Sequence, residues 1–311
     1  MSTPTAATPT LVPERRSCCI CGSPALRRFS AHASDTRDRA PVAIVECRSC
    51  AFAWQYPVGR TEHESVAWFD AAYEGNDPTK SGYFSTEGKR EIAQLELEFV
   101  NGLPTPGRSL LDIGAGSGVF AMQAVDSGWS VTAIDPALDA VRLPRSDRLR
   151  VLRGTLDDIR IDERFDVITL WDVIEHATSP AELVADATRR LDDDGWIVVE
   201  TGNYKSAARV TGGIDHWIYQ LDHRWYFSPD SLRLLLEELG FREFVLSDRV
   251  LRPGWNGSVR FSGPSRRNLL KAAIRDPLRA GSHWLQYRRL RTASTWNASG
   301  LEIFTLAARR R

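Results

Sequence analysis

The chain has 311 residues, 42% of them apolar and 26% charged, and its 40 Lys and Arg offset its 40 Asp and Glu to a formal net charge of zero. That composition suits a folded globular protein with a sizeable core, and no global field argues for nucleic acid or an acidic surface as partner. No apolar run approaches the roughly 20 residues of a membrane-spanning helix and the N-terminus has no apolar signal core, so a cytoplasmic location is expected.

Residues 1–16, MSTPTAATPTLVPERR, form a Pro/Thr-rich tail expected to be disordered. Residues 17–57 carry all five cysteines, arranged as two C-x-x-C knuckles, Cys18 to Cys21 and Cys47 to Cys50, with 25 residues between them. A secreted disulfide scaffold would spread its cysteines through the fold and use an even number. Four thiolates at this spacing close a tetrahedral zinc site with no open position, which makes the metal structural. The alternatives are a redox pair or unrelated buried thiols. The separation exceeds the usual roughly 15–20 residues, so a ribbon with a long intervening loop is expected, with Cys19 outside the ligand set.

Residues 58–105 read as a helical cap. EGKREIAQLELEFVNGLP places Ile92, Leu95 and Phe99 on one face and ends on Gly102 and Pro104. Tyr73 and Tyr83 lie in this cap, where they are candidates to close over a ligand.

From residue 106 to the end, strand and helix patterns alternate. SLLDIG, WSVTAID, LRVLRGT, FDVITLWDV and GWIVVETGN read as strands. Between them GVFAMQAVDSG, a short helix at ALDAVRL, and SPAELVADATRRL read as helices, the last with Ser179 as N-cap and Pro180 at its first position. SPDSLRLLLEELG repeats that start, FREFVLSD is a further strand, and LEIFTLAAR is the last one. Such alternation means an α/β fold, a doubly wound parallel sheet with helices on both faces.

The turn after the first of these strands, DIGAGSGVF, has Gly114, Gly116 and Gly118 at every second position, with Val119 where a dinucleotide fold would place its third glycine. Asp112 precedes the turn, and an acid there suits a ligand with an ammonium or hydroxyl donors better than a phosphate. No Gly-Lys-Ser/Thr follows, which excludes a P-loop. Asp135 ends the next strand, twenty-three residues after Asp112, where it can accept both hydroxyls of a ribose. Asp157, in GTLDD, can take an adenine amino group. A lone strand-end Asp is commonly a helix cap, but three at consecutive strand ends of a doubly wound sheet face one crevice.

These residues, with WDVIEH and VVETGN, resemble the class I S-adenosylmethionine-dependent methyltransferases, over about residues 85–250 and the last fifteen. The resemblance implies a seven-stranded Rossmann-like sheet whose last strand is antiparallel, and S-adenosyl-L-methionine as cofactor. It implies that Asp112 and the backbone of Gly114 and Gly116, in the run ending at Gly118, hold the methionine end. By the same likeness Asp135 holds the ribose, Asp157 the adenine, and Trp171 and Asp172 line the sulfonium. A cysteine ribbon ahead of such a domain is similar to the deoxysugar C-methyltransferases, which carry an additional C-terminal domain.

For the acceptor, residues 212–229, GGIDHWIYQLDHRWYFSP, hold two of the six histidines among aromatic residues. A histidine beside an acid is a candidate general base, which points to His223 with Asp222. That Asp-His pair before Phe-Ser is also similar to the Glu-His-aromatic-Phe-Ser segment of the sugar methyltransferases. The alternative is that His223 caps the next helix or packs in an aromatic hinge. His176, in IEH, is a positioning or catalytic candidate, and His216, Trp217, Tyr219 and Tyr226 are candidate acceptor contacts, together with Tyr83. Residues 252–294 hold ten Lys/Arg against one acid. This basic insertion reads as a solvated helical face, a lid for an anionic acceptor such as a nucleotide-sugar, or a surface for nucleic acid or membrane.

The expected function is methyl transfer to oxygen or carbon of a small-molecule acceptor: a sugar, nucleotide-sugar or specialised metabolite. An RNA methyltransferase gripping RNA through the ribbon and basic segment, and a non-catalytic zinc-ribbon binding module, are the other readings. The strand-four tip reads WDVI and not an NPPY-type tetrad, which disfavours base N-methylation.

Overall fold

The computed structural model describes residues 16–35, 39–56, 86–136, 146–252 and 300–310. The tail up to residue 15, Tyr73, Tyr83, the short helix expected at ALDAVRL and the basic insertion beyond Arg252 lie outside the described residues.

Three short strands come first: β1 (Leu26–His32), β2 (Pro41–Cys47) and β3 (Ala53–Gln55). The helix α1 (Thr86–Asn101) leads into β4 (Ser109–Ile113), α2 (Val119–Asp126), β5 (Ser130–Asp135), β6 (Leu149–Arg153) and β7 (Phe165–Trp171). Then follow α3 (Pro180–Arg189), β8 (Leu191–Gly202), α4 (Ala207–Gly212), β9 (Trp225–Tyr226), α5 (Pro229–Glu238), β10 (Glu243–Leu246) and β11 (Ile303–Arg309).

Seven strands form one sheet in the order β10-β11-β8-β7-β4-β5-β6. Strands β4 to β8 run parallel, and β11 is antiparallel to both of its neighbours. The middle strands carry almost unbroken apolar runs because both faces are covered. Ala93, Leu97 and Val100 of α1 and Phe120, Ala121 and Ala124 of α2 pack on one side. Val184 and Ala187 of α3 and Leu232, Leu235 and Leu236 of α5 belong to a second core cluster. The order reverses at β4, whose neighbours are β5 and β7, the topology that in open α/β sheets sets a ligand crevice outside the carboxyl ends of these strands.

The expected apolar face of α1 needs a correction. Ile92, Leu95 and Phe99 are only half-buried, whereas Ala93, Glu96, Leu97 and Val100 face inward. One of these inward residues is a carboxylate, so an apolar periodicity count selects the neighbouring stripe instead.

The cysteine-bearing segment is not a separate appendage. Strands β1, β2 and β3 form a four-stranded sheet with β9, which lies between β8 and α5 in the chain and pairs antiparallel with β3. Gln55 N–H donates to the Arg224 carbonyl at 2.9 Å, and Phe52 packs against Trp225 and Phe227 with ring centroids 6.0 and 4.9 Å away. The ribbon core, Cys18, Ile20, Cys47, Cys50, Phe52 and Trp54, is continuous with the core of the larger sheet.

Candidate active site

At the reversal point the chain leaves β4 through Gly114, Gly116 and Gly118, all with positive φ (72°, 51° and 69°), the left-handed region that costs a side chain energy. Gly114 is doubly required, since a Cβ there would lie 2.4 Å from Val173 Cγ2. The Gly116 N–H donates to Asp135 Oδ2 at 2.8 Å, tying the glycine turn to the end of β5. Asp112 is buried and accepts from Thr169 Oγ1 at 2.8 Å. Burial pushes its pKa up to about 7, the Thr169 hydrogen bond opposing and the Asp135 charge reinforcing that rise. Asp157 is exposed on a one-turn helix after β6, while Asp158 caps that turn through the Thr155 N–H at 3.0 Å. Trp171 ends β7, edge-on to Phe120 at 5.1 Å, and its indole N–H is buried without a hydrogen-bond partner among the described residues. Asp112, the glycine turn and Asp135 are therefore brought together, with Trp171 and Asp172 at the tip of the adjacent strand β7.

Sequence reasoning missed a charged group beside this crevice. Arg252 is 3% exposed and forms ion pairs with Glu96 at 3.4 Å, Asp172 at 2.7 Å and Glu200 at 2.5 Å. Burial raises the pKa of Glu200 to about 7 and that of Glu96 well above the carboxylate range, with Arg252 opposing both shifts. Asp172 sits at φ 53°, an unusual conformation for a non-glycine residue, and Arg252 holds its carboxylate. No local pattern predicts this group: α1, the tips of β7 and β8, and the segment after β10 contribute one side chain each.

A second cluster gathers beyond the β7 tip. Glu175 and His176 lie in the turn before α3, and Asp222 and His223 lie just before β9. Two hydrogen bonds join the segments, from Arg224 N–H and Trp225 N–H to the Glu175 carbonyl, at 2.8 and 3.2 Å. The His176 and His223 rings meet edge-to-face with centroids 4.9 Å apart. His176 Nδ1 lies 3.2 Å from the Asp222 carbonyl and 3.5 Å from Asp222 Oδ2. His223 Nδ1 lies 2.8 Å from the Ile218 carbonyl. Burial, then the His223 charge, lowers the His176 pKa to about 4, so this imidazole is uncharged at neutral pH. Glu175 is buried, burial raises its pKa well above the carboxylate range, and its Oε2 has no hydrogen-bond partner among the described residues. Asp222 Oδ1 has none either.

The other aromatic candidates face the ribbon. Tyr219 and Tyr226 are 1% exposed and pack with Tyr204 in the cluster that includes Val42 and Ile44 of β2. Gln55 Nε2 donates to the Tyr226 hydroxyl at 3.1 Å. Trp217 Nε1 donates to Glu302 at 2.7 Å, and His216 is buried with its pKa lowered to about 3 by burial and Arg209. Their described contacts are with the ribbon, with Tyr204 between β8 and α4, and with Glu302 just before β11.

The four knuckle cysteines converge. One sulfur from each lies within 4.8 Å of the others, with Cys18 to Cys50 at 3.6 Å and Cys21 to Cys47 at 3.5 Å. Tetrahedral zinc with bonds of about 2.3 Å has sulfur–sulfur edges of about 3.8 Å, so the donor set fits that metal with a minor adjustment. Cys19 stands outside the group.

Residues 85–244, about half of the chain, match the family model described as a methyltransferase domain. The ubiquinone biosynthesis O-methyltransferase of Paracidovorax citrulli is 30% identical over 131 residues, which is 38% of this chain and 54% of that protein. The protein of the same description from Azorhizobium caulinodans is 27% identical over 164 residues, 48% of this chain and 65% of the relative. The match thus spans about half to two thirds of the length of these curated relatives. Among solved structures, the Burkholderia thailandensis 1,6-didemethyltoxoflavin-N1-methyltransferase, with bound 1,6-didemethyltoxoflavin and S-adenosylhomocysteine, superposes with a TM-score of 0.50. It is 17% identical, the match covers 91% of this chain and 99% of that one, and it shows the shared fold. With the glycine turn, the strand order and the antiparallel β11 in place, the family match settles membership: the chain belongs to the methyltransferase-domain family.

Proposed function

We propose that the protein transfers the methyl group of S-adenosyl-L-methionine to an oxygen or carbon of a small-molecule acceptor. The acceptor class that fits the sequence likeness is a sugar, nucleotide-sugar or related specialised metabolite. The observation that carries the reading is the crevice at the β4 reversal, where Asp112, the Gly114–Gly116 turn and Asp135 stand together beside the tip of β7. In this reading Asp112 faces the methionine ammonium, Asp135 the ribose hydroxyls and Asp157 the adenine, while Trp171 and Asp172 flank the sulfonium.

The reaction is an in-line displacement. A lone pair of the acceptor forms the new bond to the methyl carbon, the S–CH3 bond breaks with its electrons staying on sulfur, and S-adenosylhomocysteine leaves. The proton released by the acceptor passes to the buried group of Asp222, His176 and His223, with His223 closest to the general-base role expected of it. Zinc at Cys18, Cys21, Cys47 and Cys50 is structural in this proposal, because four thiolates leave it no open position.

His223→Ala tests the acceptor side: turnover is expected to fall by about 10²–10⁴-fold while S-adenosylmethionine still binds. Unchanged turnover on a sugar or nucleotide-sugar substrate would remove the cluster from the reaction. Labelling of RNA in place of small molecules would reverse the acceptor class.

Donor affinity should also depend on pH through Asp112. Its pKa of about 7 means the carboxyl is neutral below that value and cannot pair with the ammonium, so binding strengthens as pH rises through 7. Calorimetry at about pH 6 and about pH 7.5 should differ close to tenfold in affinity, with the weaker binding at the lower pH. Equal affinities at both would exclude a titrating Asp112 from the donor site.

A further inference from the structure

We infer that Arg252 is a positioning residue for the methyl donor: it clamps Asp172 at the tip of β7 and so seats Val173 against the glycine turn. The inference rests on the donor crevice proposed above and extends it to a side chain that lies outside the turn itself.

Three elements meet at this one guanidinium. Nη2 lies 2.7 Å from Asp172 Oδ2 and 2.5 Å from Glu200 Oε1, and Nη1 lies 3.4 Å from Glu96 Oε1. Glu96 belongs to α1, Asp172 directly follows β7, and Glu200 belongs to β8. A fourth element joins through Thr305 of β11, whose hydroxyl donates to Glu200 Oε2 at 2.7 Å. Arg252 Nη1 also donates to the Leu251 carbonyl at 3.0 Å. Arg252, Glu96 and Glu200 are buried, whereas the Asp172 side chain is 46% exposed. Buried acids therefore fix the arginine, and the arginine holds the one acid of the group that reaches solvent. An arginine serving only to neutralise Glu96 and Glu200 would have no need of Asp172, which water can solvate.

The strand tip needs such a restraint. Asp172 has φ 53°, in the left-handed region that costs a side chain energy, and strain of this kind persists only where surrounding contacts impose it. Its backbone N–H donates to the Glu200 carbonyl at 3.2 Å, and its carboxylate is held by Arg252. The next residue carries the consequence to the donor turn. Val173 occupies the space that a Cβ on Gly114 would need, and the Gly114 N–H donates to the Ile134 carbonyl at 2.8 Å. Gly114 is thus set between β5 and Val173. Release of Asp172 would let its backbone relax to negative φ and turn Val173 away from Gly114, so the turn would lose its backing. The planar fork of arginine reaches three carboxylates at once, which a lysine ammonium on a flexible stem does less well.

The test is a double-mutant cycle on the full-length protein, read by calorimetry with S-adenosylmethionine and S-adenosylhomocysteine as the two probes. The second probe lacks the sulfonium charge, so a loss shared by both reads position and not charge. Arg252→Met is expected to weaken both on the order of 100-fold, and Arg252→Lys, which keeps the charge without the fork, about tenfold. Asp172→Ala should weaken both as well. Adding Arg252→Met to it should cost less than about twofold more, because the arginine acts through that aspartate. Losses that multiply in the double variant would make Arg252 an independent structural pin and overturn the inference. So would native affinity in Arg252→Met with only a lowered melting temperature, or a loss confined to S-adenosylmethionine. Should Arg252→Met fail to fold, as the absence of a cooperative thermal transition would reveal, the same cycle run with Arg252→Lys decides. A native chain that binds neither probe would sink the donor reading itself, and the inference with it.

Discussion

Gly114→Ala is expected to weaken S-adenosylmethionine binding on the order of 100-fold, which corresponds to about 3 kcal/mol. Two costs add at this position. The backbone sits at φ 72°, where a side chain costs about 1–2 kcal/mol relative to glycine. The new methyl group would also lie 2.4 Å from Val173 Cγ2, so Val173 must turn or the β7 tip must retreat. Val173 follows Asp172, so either response moves the strand tip assigned to the sulfonium. Calorimetry on the purified variant measures the effect directly. Affinity within a factor of two of the native chain would mean that the glycine turn does not carry the donor.

Removal of metal from the cysteine site should have the other large effect, and it should fall on the acceptor side. Structural zinc contributes about 10–16 kcal/mol to folding in small zinc-dependent domains, so Cys47→Ser or chelation should unfold the ribbon. Strand β3 then loses its pairing with Trp225 and Tyr226, and Phe52 its packing on Trp225 and Phe227. Asp222 and His223 lie three and two residues before β9, so their position depends on that pairing. Misplacement of a reacting group by about 1 Å can cost about 10²-fold in rate, and a loss of acceptor turnover of at least that size is expected. Donor affinity should change by less than about threefold, because Asp112, the glycine turn and Asp135 are built by β4 and β5, outside the ribbon sheet. Parallel loss of donor and acceptor functions would show instead that the ribbon supports the whole fold. Full turnover without metal would remove zinc from the account.

Much of this was legible in the amino-acid order. Every strand expected from SLLDIG to LEIFTLAAR is present, as are the Ser-Pro helix starts at Ser179 and Ser228, the latter with a Ser228–Ser231 capping box. Apolar runs, caps and glycine turns are local features, and local features determine which stretch becomes which element. The knuckle spacing likewise announced sulfurs able to meet, and they meet. The seven-strand order came through the family resemblance and agrees with the observed sheet.

Other features depended on contacts that no local pattern encodes. Periodicity marked Ile92, Leu95 and Phe99 on α1, whereas tertiary packing turned Glu96 inward, 156 residues from its partner Arg252. His176 and the Asp222 carbonyl meet across 46 residues because β7 and the segment before β9 end side by side. Tyr219 and Tyr226, expected at the acceptor from their place in an aromatic run, have their described packing in the cluster shared with the ribbon, because β9 completes that sheet. The sequence by itself determined the α/β alternation, the glycine turn with its acids, and the four convergent cysteines, since propensity, turn chemistry and ligand spacing act over a few residues. Only the tertiary structure decided that the ribbon pairs with the segment at Trp225 and Tyr226, and that Arg252 joins three carboxylates beside the tip of β7. Burial and charge compensation are settled between side chains far apart in the chain, and only the folded packing brings them within reach.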